Sequence, residues 1–198
     1  MLAAGSSRRA GEINKLLHEV DGEPMVRRVV RTVLEAVVEP CVVVLGHEAE
    51  RVREVLGELP IAPVVNEDHA EGIGASIRCG MATMSATEVD AALIVLGDMP
   101  FVRVEDLRAL VAAYRASNPP RIVAPEAGHG AARRLGNPVL WPRHTFESLV
   151  RLRGDRGARR LLMASPDAVL RVSVDHPGVL RDIDTIGGSG LHSPPQSS

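Results

Sequence analysis

The chain has 198 residues, 45% of them apolar but only 2% aromatic, and a formal net charge of −2. Such a length suits one domain whose substantial core is built from Val, Leu, Ile, Ala and Met. The near-neutral balance, with both signs spread along the chain, excludes a nucleic-acid or membrane surface as the main partner.

Met1 to Ala4 reads as the end of a strand, short by the usual standard of about five residues, and its start is expected upstream of Met1. A loop follows from Gly5 to Asn14. Pro24 suits the first position of a helix whose apolar face carries Met25, Val29, Val30, Val33 and Val37. Cys41 to Leu45 is a buried strand, His47 to Leu59 an amphipathic helix, and Ala62 to Val65 a further strand. After the polar stretch Asn66 to Gly74 a helix is expected from Ala75 to Met84. Ala91 to Leu96 is the most apolar strand. Glu105 to Arg115 is a helix and Arg121 to Ala124 a strand. A loop rich in Gly and Arg spans Gly128 to Asn137, and Asn137 to Trp141 is short and extended. Helices at Thr145 to Leu152 and Ala158 to Ala164 precede a last strand, Val169 to Val174.

This alternation predicts an α/β fold, a three-layer α/β/α domain with a mostly parallel sheet and right-handed crossovers. One domain is expected over residues 1–186, with a disordered tail over residues 187–198. Cys41 and Cys79 lack paired spacing and read as small buried residues of a reducing compartment. No apolar run approaches the roughly 20 residues of a membrane span, nor does the start have the form of a signal peptide, so a cytoplasmic location is expected.

In sheets of this kind ligands bind at the carboxyl ends of strands. Gly5 and Gly11 allow a sharp turn there, successive backbone N–H groups can cradle anions, and Arg8, Arg9 and Lys15 add positive charge. Lys15 is the single Lys among 23 basic residues. A compact ammonium between phosphate oxygens is one reason for a chain of arginines to keep it. The loop has neither Gly-Lys-Ser/Thr nor G-x-G-x-x-G, so it is not a P-loop or a dinucleotide fingerprint. Asp98 leaves the central strand just before Pro100 and suits a Mg²⁺ ligand, because Mg²⁺ takes one or two carboxylates plus phosphate oxygens. The bland alternative is an N-cap for the next helix. Asp182 and Asp184 alternate on an extended segment, so one can face the site while the other is solvated. The segment Gly154 to Gly157 with Arg159 and Arg160 reads equally as a turn or as part of a second anion pocket. The seven His show no metal-ligand spacing.

Leu2-Ala3-Ala4-Gly5-Ser6-Ser7-Arg8-Arg9 with Gly11 and Lys15 resembles the signature loop of the molybdenum cofactor nucleotidyltransferases, the MobA-like NTP transferases. Later blocks follow in the family's order: Gly46-His47; Asn66 through Gly72 and Ser76; Gly97-Asp98-Met99-Pro100; Gly136-Asn137-Pro138-Val139; Gly154 through Arg159; and Asp182-Ile183-Asp184-Thr185. The resemblance implies a Rossmann-like fold of the nucleotide-diphospho-sugar transferase type. Ala4 places the chain nearest the cytidylyltransferase branch, where the guanylyl branch reads Leu-Ala-Gly-Gly. The implied reaction moves CMP from CTP to the terminal phosphate of molybdopterin and releases pyrophosphate, with Mg²⁺ as cofactor. The implied nucleotide site comprises Leu2, Ala3, Ala4, Gly5, Ser6, Lys15, Asn66, Gly72, Ser76 and Asp98. Lys15, Arg8 and Asp98 would be catalytic, Asp98 and Asp184 the metal ligands, and Asn137, Asp155 and Arg159 the acceptor site. A molybdoenzyme partner is a further expectation. The chain departs from the family at Asn137, where Gly-His-Pro-Val is common, and after Thr185, where Ile186 and Gly187 replace Pro and acids.

Other readings keep the fold and change the base or acceptor, as in guanylyl transfer or another phosphorylated acceptor. A nicotinamide-dependent oxidoreductase lacks its fingerprint. A non-catalytic carrier of the cofactor is a fourth reading.

Overall fold

The computed structural model describes residues 1–5, 14–36, 38–154, 157–164 and 166–183. In chain order its elements are β1 (Leu2–Ala3), β2 (Glu19–Val20), β3 (Glu23–Pro24), α1 (Met25–Glu35), β4 (Val42–Leu45), α2 (Ala49–Leu56), β5 (Ala62–Val65), α3 (Ile73–Ser85), β6 (Ala91–Ile94), α4 (Val104–Ala116), β7 (Ile122–Ala127), β8 (Arg134–Leu135), β9 (Val139–Pro142), α5 (Phe146–Val150), α6 (Arg159–Ala164) and β10 (Val169–Ser173). Single-turn helices such as Lys15–Leu17, His69–Glu71 and Pro177–Leu180 fill several connections. No helix among the described residues is long and apolar enough to cross a membrane.

The main strands form one sheet in the order β5-β4-β1-β6-β9-β7-β10. Parallel pairing joins β5 to β4 and β4 to β1. The next join is a parallel bridge between Leu2 and Leu96. There the Leu2 N–H donates to the Val95 carbonyl at 2.8 Å and the Gly97 N–H to the Leu2 carbonyl at 2.9 Å. β9 runs antiparallel to β6 and β7, and β10 is parallel to β7. From β1 the chain builds outward through β4 and β5, then crosses to β6 on the other side. The crevice between β1 and β6 is therefore the switch point of the sheet.

Helices cover both faces, because the Val-rich strands are apolar on both sides. Val43 and Leu45 pack with Val26, Val29 and Val30 of α1, Val52 and Leu56 of α2, and Leu107 of α4. On the opposite face Trp141, Ala92 and Ala124 pack with Ile77 and Met81 of α3 and with Phe146 and Leu149 of α5. Each fully buried Val or Leu contributes about 1.5–3 kcal/mol. The result is the expected three-layer α/β/α arrangement.

Several elements differ from the sequence reading. Residues 19–24 form a hairpin, β2 with β3, that the reading omitted. Asp21 and Gly22 both take positive φ, 53° and 79°, as a two-residue turn matching strand twist requires. Pro24 ends that hairpin and caps α1, which begins at Met25. α2 starts at Ala49, because Glu48 at φ 51° is left-handed and cannot continue a helix toward His47. β7 runs three residues past Ala124, because Glu126 is paired on both sides, with Ser173 and with Leu135. The loop expected over Gly128 to Asn137 thus contains β8. Val37, most of the Gly5 to Asn14 loop and the 187–198 tail lie outside the described residues.

Cys41 is buried beside the Met1 amine, which donates to the Val42 carbonyl at 2.6 Å. Burial pushes the Cys41 thiol above its ordinary 9.0, and the nearby amine opposes this weakly. The unfolded chain therefore loses this proton at lower pH than the folded chain. The contribution to stability is complete below pH 9.0 and is lost as pH rises through the folded value. Urea unfolding of the wild-type chain is expected to weaken with pH above that point more steeply than Cys41→Ala, by at most about 1.4 kcal/mol per pH unit. Equal slopes in the two chains would refute the buried thiol's role.

Candidate active site

Two residues on opposite sides of the switch point meet. Lys15 opens the single turn Lys15–Leu17, and its placement is local chemistry. Asn14, only 1% exposed, accepts the Leu16 N–H on Oδ1 at 3.1 Å and donates from Nδ2 to the His47 carbonyl at 3.4 Å. Leu16 is buried against the α1 side of the sheet. With cap and anchor fixed, the Lys15 side chain reaches across the crevice. Its Nζ lies 2.8 Å from Asp98 Oδ2, with side-chain exposures of 13% and 21%.

Asp98 follows the Leu96 bridge and is held on two sides. The Gly97 N–H bonds to Leu2 in β1, and the Asp98 carbonyl accepts the Ile183 N–H at 3.0 Å. Its second carboxylate oxygen, Oδ1, is buried with no hydrogen-bond partner among the described residues. The helix-cap alternative for Asp98 fails. α4 begins at Val104, and the carboxylate serving its first turn is Asp106, which accepts the Arg103 N–H at 2.8 Å. A buried, orphaned carboxylate oxygen at the switch point suits a hard divalent cation that takes its other ligands from phosphate and water. No cluster of three or more His, Cys, Asp or Glu fit to hold a metal occurs among the described residues.

The other expected nucleotide residues surround the ends of β1, β4 and β5. Leu2 and Ala3 point their side chains into the two cores, so only the backbone beyond them faces a ligand. Ala4 is buried, and its carbonyl accepts the His47 N–H at 3.4 Å. Gly5 is exposed. Asn66 and Ser76 come together: Asn66 Nδ2 donates to Ser76 Oγ at 3.2 Å, and Asn66 Oδ1 accepts the Asp68 N–H at 3.2 Å. The Ser76 hydroxyl proton is left to donate elsewhere. Gly72 precedes α3 at φ 110°. His47 and His69 lie at the same rim with ring centroids 6.2 Å apart, and His69 Nδ1 is buried without a hydrogen-bond partner. Only the polar loop hinted at His69. Ser6, Arg8, Asp155 and Asp184 lie outside the described residues.

Beyond Asp98 lies a groove of about 520 Å³ on the α3 side of the sheet. Leu96 and Met99, either side of Asp98, form part of its wall, and Asn137 and Arg159 line it together. Arg134, Trp141 and Asp182 line it as well. The Trp141 indole N–H is buried without an acceptor among the described residues, although buried Trp usually finds one. Trp141 was legible only as an apolar residue, because its orphaned donor depends on the packing around it.

A sheet switch point where an ammonium and a carboxylate meet, with a groove of about 520 Å³ alongside, defines a Rossmann-like α/β protein with a candidate ligand site there. The chain belongs to the MobA-like NTP transferase domain family, whose model matches residues 1–169. It is 36% identical over 118 residues to the bifunctional protein GlmU of Leifsonia xyli subsp. xyli, covering 59% of this chain and 24% of that one. Against the bifunctional protein GlmU of Kineococcus radiotolerans it is 32% identical over 146 residues, covering 70% of this chain and 30% of that one. The chain therefore spans less than a third of the length of these relatives. Among solved structures it is similar to Rv0371c of Mycobacterium tuberculosis H37Rv, with TM-score 0.77, 26% identity, and 93% and 91% of the two chains covered. A manganese complex of that protein matches with TM-score 0.73 and 25% identity, covering 88% of this chain and 86% of the other.

The ion pair makes a stability prediction. Removing one member takes from the other a charge partner 2.8 Å away in a mostly buried setting, so Lys15→Met and Asp98→Asn should each cost more alone than together. A double-mutant cycle by urea unfolding should return a coupling of about 1 kcal/mol. Additive effects would contradict the observed contact.

Proposed function

We propose that the chain is a Mg²⁺-dependent nucleotidyltransferase that moves CMP from CTP to molybdopterin and releases pyrophosphate. The observation that carries this reading is the Lys15–Asp98 pair at the switch point, with one Asp98 oxygen left orphaned. In this reading the triphosphate lies over Ala4, Gly5 and Ser6, with Asn66, Gly72 and Ser76 on the base side. Asp98, with Asp184, holds the metal. Bound Mg²⁺ supplies charge neutralisation on the triphosphate and the departing pyrophosphate.

The chain's own groups do the rest. Lys15 exchanges Asp98 for phosphate oxygens and, with Arg8, offsets the charge that develops on pyrophosphate. The acceptor is itself a phosphate anion, so no general base is needed and positioning dominates. Asn137 and Arg159, which line one groove beside Asp98, hold the acceptor together with Asp155. Arg134 adds a cation to that groove. The same cations fit other phosphorylated acceptors, which makes transfer of a different nucleotidyl group or to a different phosphate the second reading. The manganese complex of a 25%-identical relative supports a divalent cation here.

CTP with Mg²⁺ is expected to raise the melting temperature more than GTP, ATP or NADPH. At about 100 times Kd the gain is about 2.7 kcal/mol. Equal shifts for all nucleotides would remove the choice of base. Pyrophosphate release should require molybdopterin, and Asp98→Ala should lower it by about a hundredfold or more. Turnover that needs no acceptor, or that survives Asp98→Ala, would sink the reading.

A further inference from the structure

The residues that follow β10 form a strap over the loop carrying Asp98. His176 begins it. Its side chain and that of Asp106 in α4 are 11% and 6% exposed, and its Nε2 lies 2.9 and 3.0 Å from the two Asp106 carboxylate oxygens. The other ring nitrogen, Nδ1, accepts the Gly178 N–H at 3.0 Å. A backbone N–H can only donate, so Nδ1 is an acceptor and the Nε2–H donates to Asp106.

The strap then runs against both walls of the site. Gly178 lies so close to Phe101 that a Cβ there would overlap the Phe101 carbonyl oxygen, and a Cβ on Gly136 would overlap that of Val179. The Asn137 N–H donates to the Val179 carbonyl at 2.9 Å. The Arg181 guanidinium stacks 4.5 Å from the centre of the Phe101 ring. The last link is the Ile183 N–H on the Asp98 carbonyl.

We propose that the His176–Asp106 pair is a clasp that positions Asp98 for its cation, acting through this strap. The proposal rests on reading Asp98 as a metal ligand. His176 touches neither cation nor substrate; it is a positioning residue. The α4 end of the clasp is itself fixed, because Asp106 also accepts the Arg103 N–H. One end of the strap is thus tied to a helix and the other to the backbone of the residue whose carboxylate must stay aimed. Groups that orient a metal ligand typically govern metal affinity by about 10-fold to 100-fold when lost.

The test is Mn²⁺ binding by electron paramagnetic resonance on the full chain, with Mn²⁺ alone as probe. Each variant is held at a temperature where circular dichroism shows it folded. Asp98→Ala should abolish tight binding. His176→Ala should weaken it by about tenfold, and His176→Gln, whose amide N–H can still donate to Asp106, should recover part of the loss. Ile183→Pro deletes the donor to Asp98 without touching the buried pair. It should weaken Mn²⁺ binding to a similar extent, and it decides the matter if His176→Ala does not fold. If Asp98→Ala abolishes binding while His176→Ala and Ile183→Pro bind like wild type, the clasp is wrong and the metal reading stands. If the wild-type chain takes up no Mn²⁺, or Asp98→Ala takes it up equally well, the metal reading falls and the clasp with it.

Discussion

The ion pair between Lys15 and Asp98 organises the rest of the molecule. A mostly buried ammonium or carboxylate alone is costly, and each compensates the other across the crevice. Holding them together demands that β1 and β6 lie side by side, which the Leu2–Leu96 bridge provides. It also demands that each partner be fixed locally, Lys15 by Asn14 and Leu16 and Asp98 by Gly97 and Ile183. Such a pair is primed for exchange. A triphosphate offers the ammonium better partners and a divalent cation offers the carboxylate one, so in the proposed reaction both substitutions happen together.

Around that pair the fold separates two spaces. The ends of β1, β4 and β5 bring backbone, two imidazoles and the Asn66–Ser76 couple to one rim. The groove on the α3 side brings Asn137, Arg159 and Arg134 to the other. The loop from Gly97 to Met99 lies between them, so in the proposed reaction one carboxylate would serve a donor on one side and an acceptor on the other. The Asn66–Ser76 bond also ties the end of β5 to the first turn of α3, so the rim keeps its shape through internal hydrogen bonds.

Much of this was legible in the residues. The Val-rich run at 42–45 announced a buried parallel strand, whereas 62–65 was legible only as a strand and is largely exposed at the sheet edge. The lone Lys in an arginine-rich chain singled out Lys15, and the apolar strand running into Gly97-Asp98 singled out Asp98. That these two touch was not legible, because they are 83 positions apart and their contact depends on strand order. The antiparallel direction of β9 was hidden for a similar reason: Asn137 to Trp141 reads as extended in either sense. The hairpin at 19–24 had a local signal, Asp21-Gly22 between polar and apolar neighbours, which the helix-first reading of Pro24 obscured. His176 and Asp106 carried no signal at all. Each is an ordinary polar residue in its own segment, and only packing joins them across 70 positions.

The strap has a consequence for how the molecule is made. Ile183 secures a residue that lies 85 positions before it in the sequence, and β1, which secures the adjacent Gly97 from the other side, precedes both. During synthesis the sheet from β1 to β6 can begin to form while later helices are still being translated, since folding starts from the N-terminal side. The carboxylate at position 98 then waits, half-tethered, until the polypeptide has grown past the last strand. In the proposed reaction, competence would therefore come late on the ribosome, well after most of the architecture exists. A nascent chain stalled short of Ile183 would have much of its architecture in place but not the backbone bond that holds Asp98.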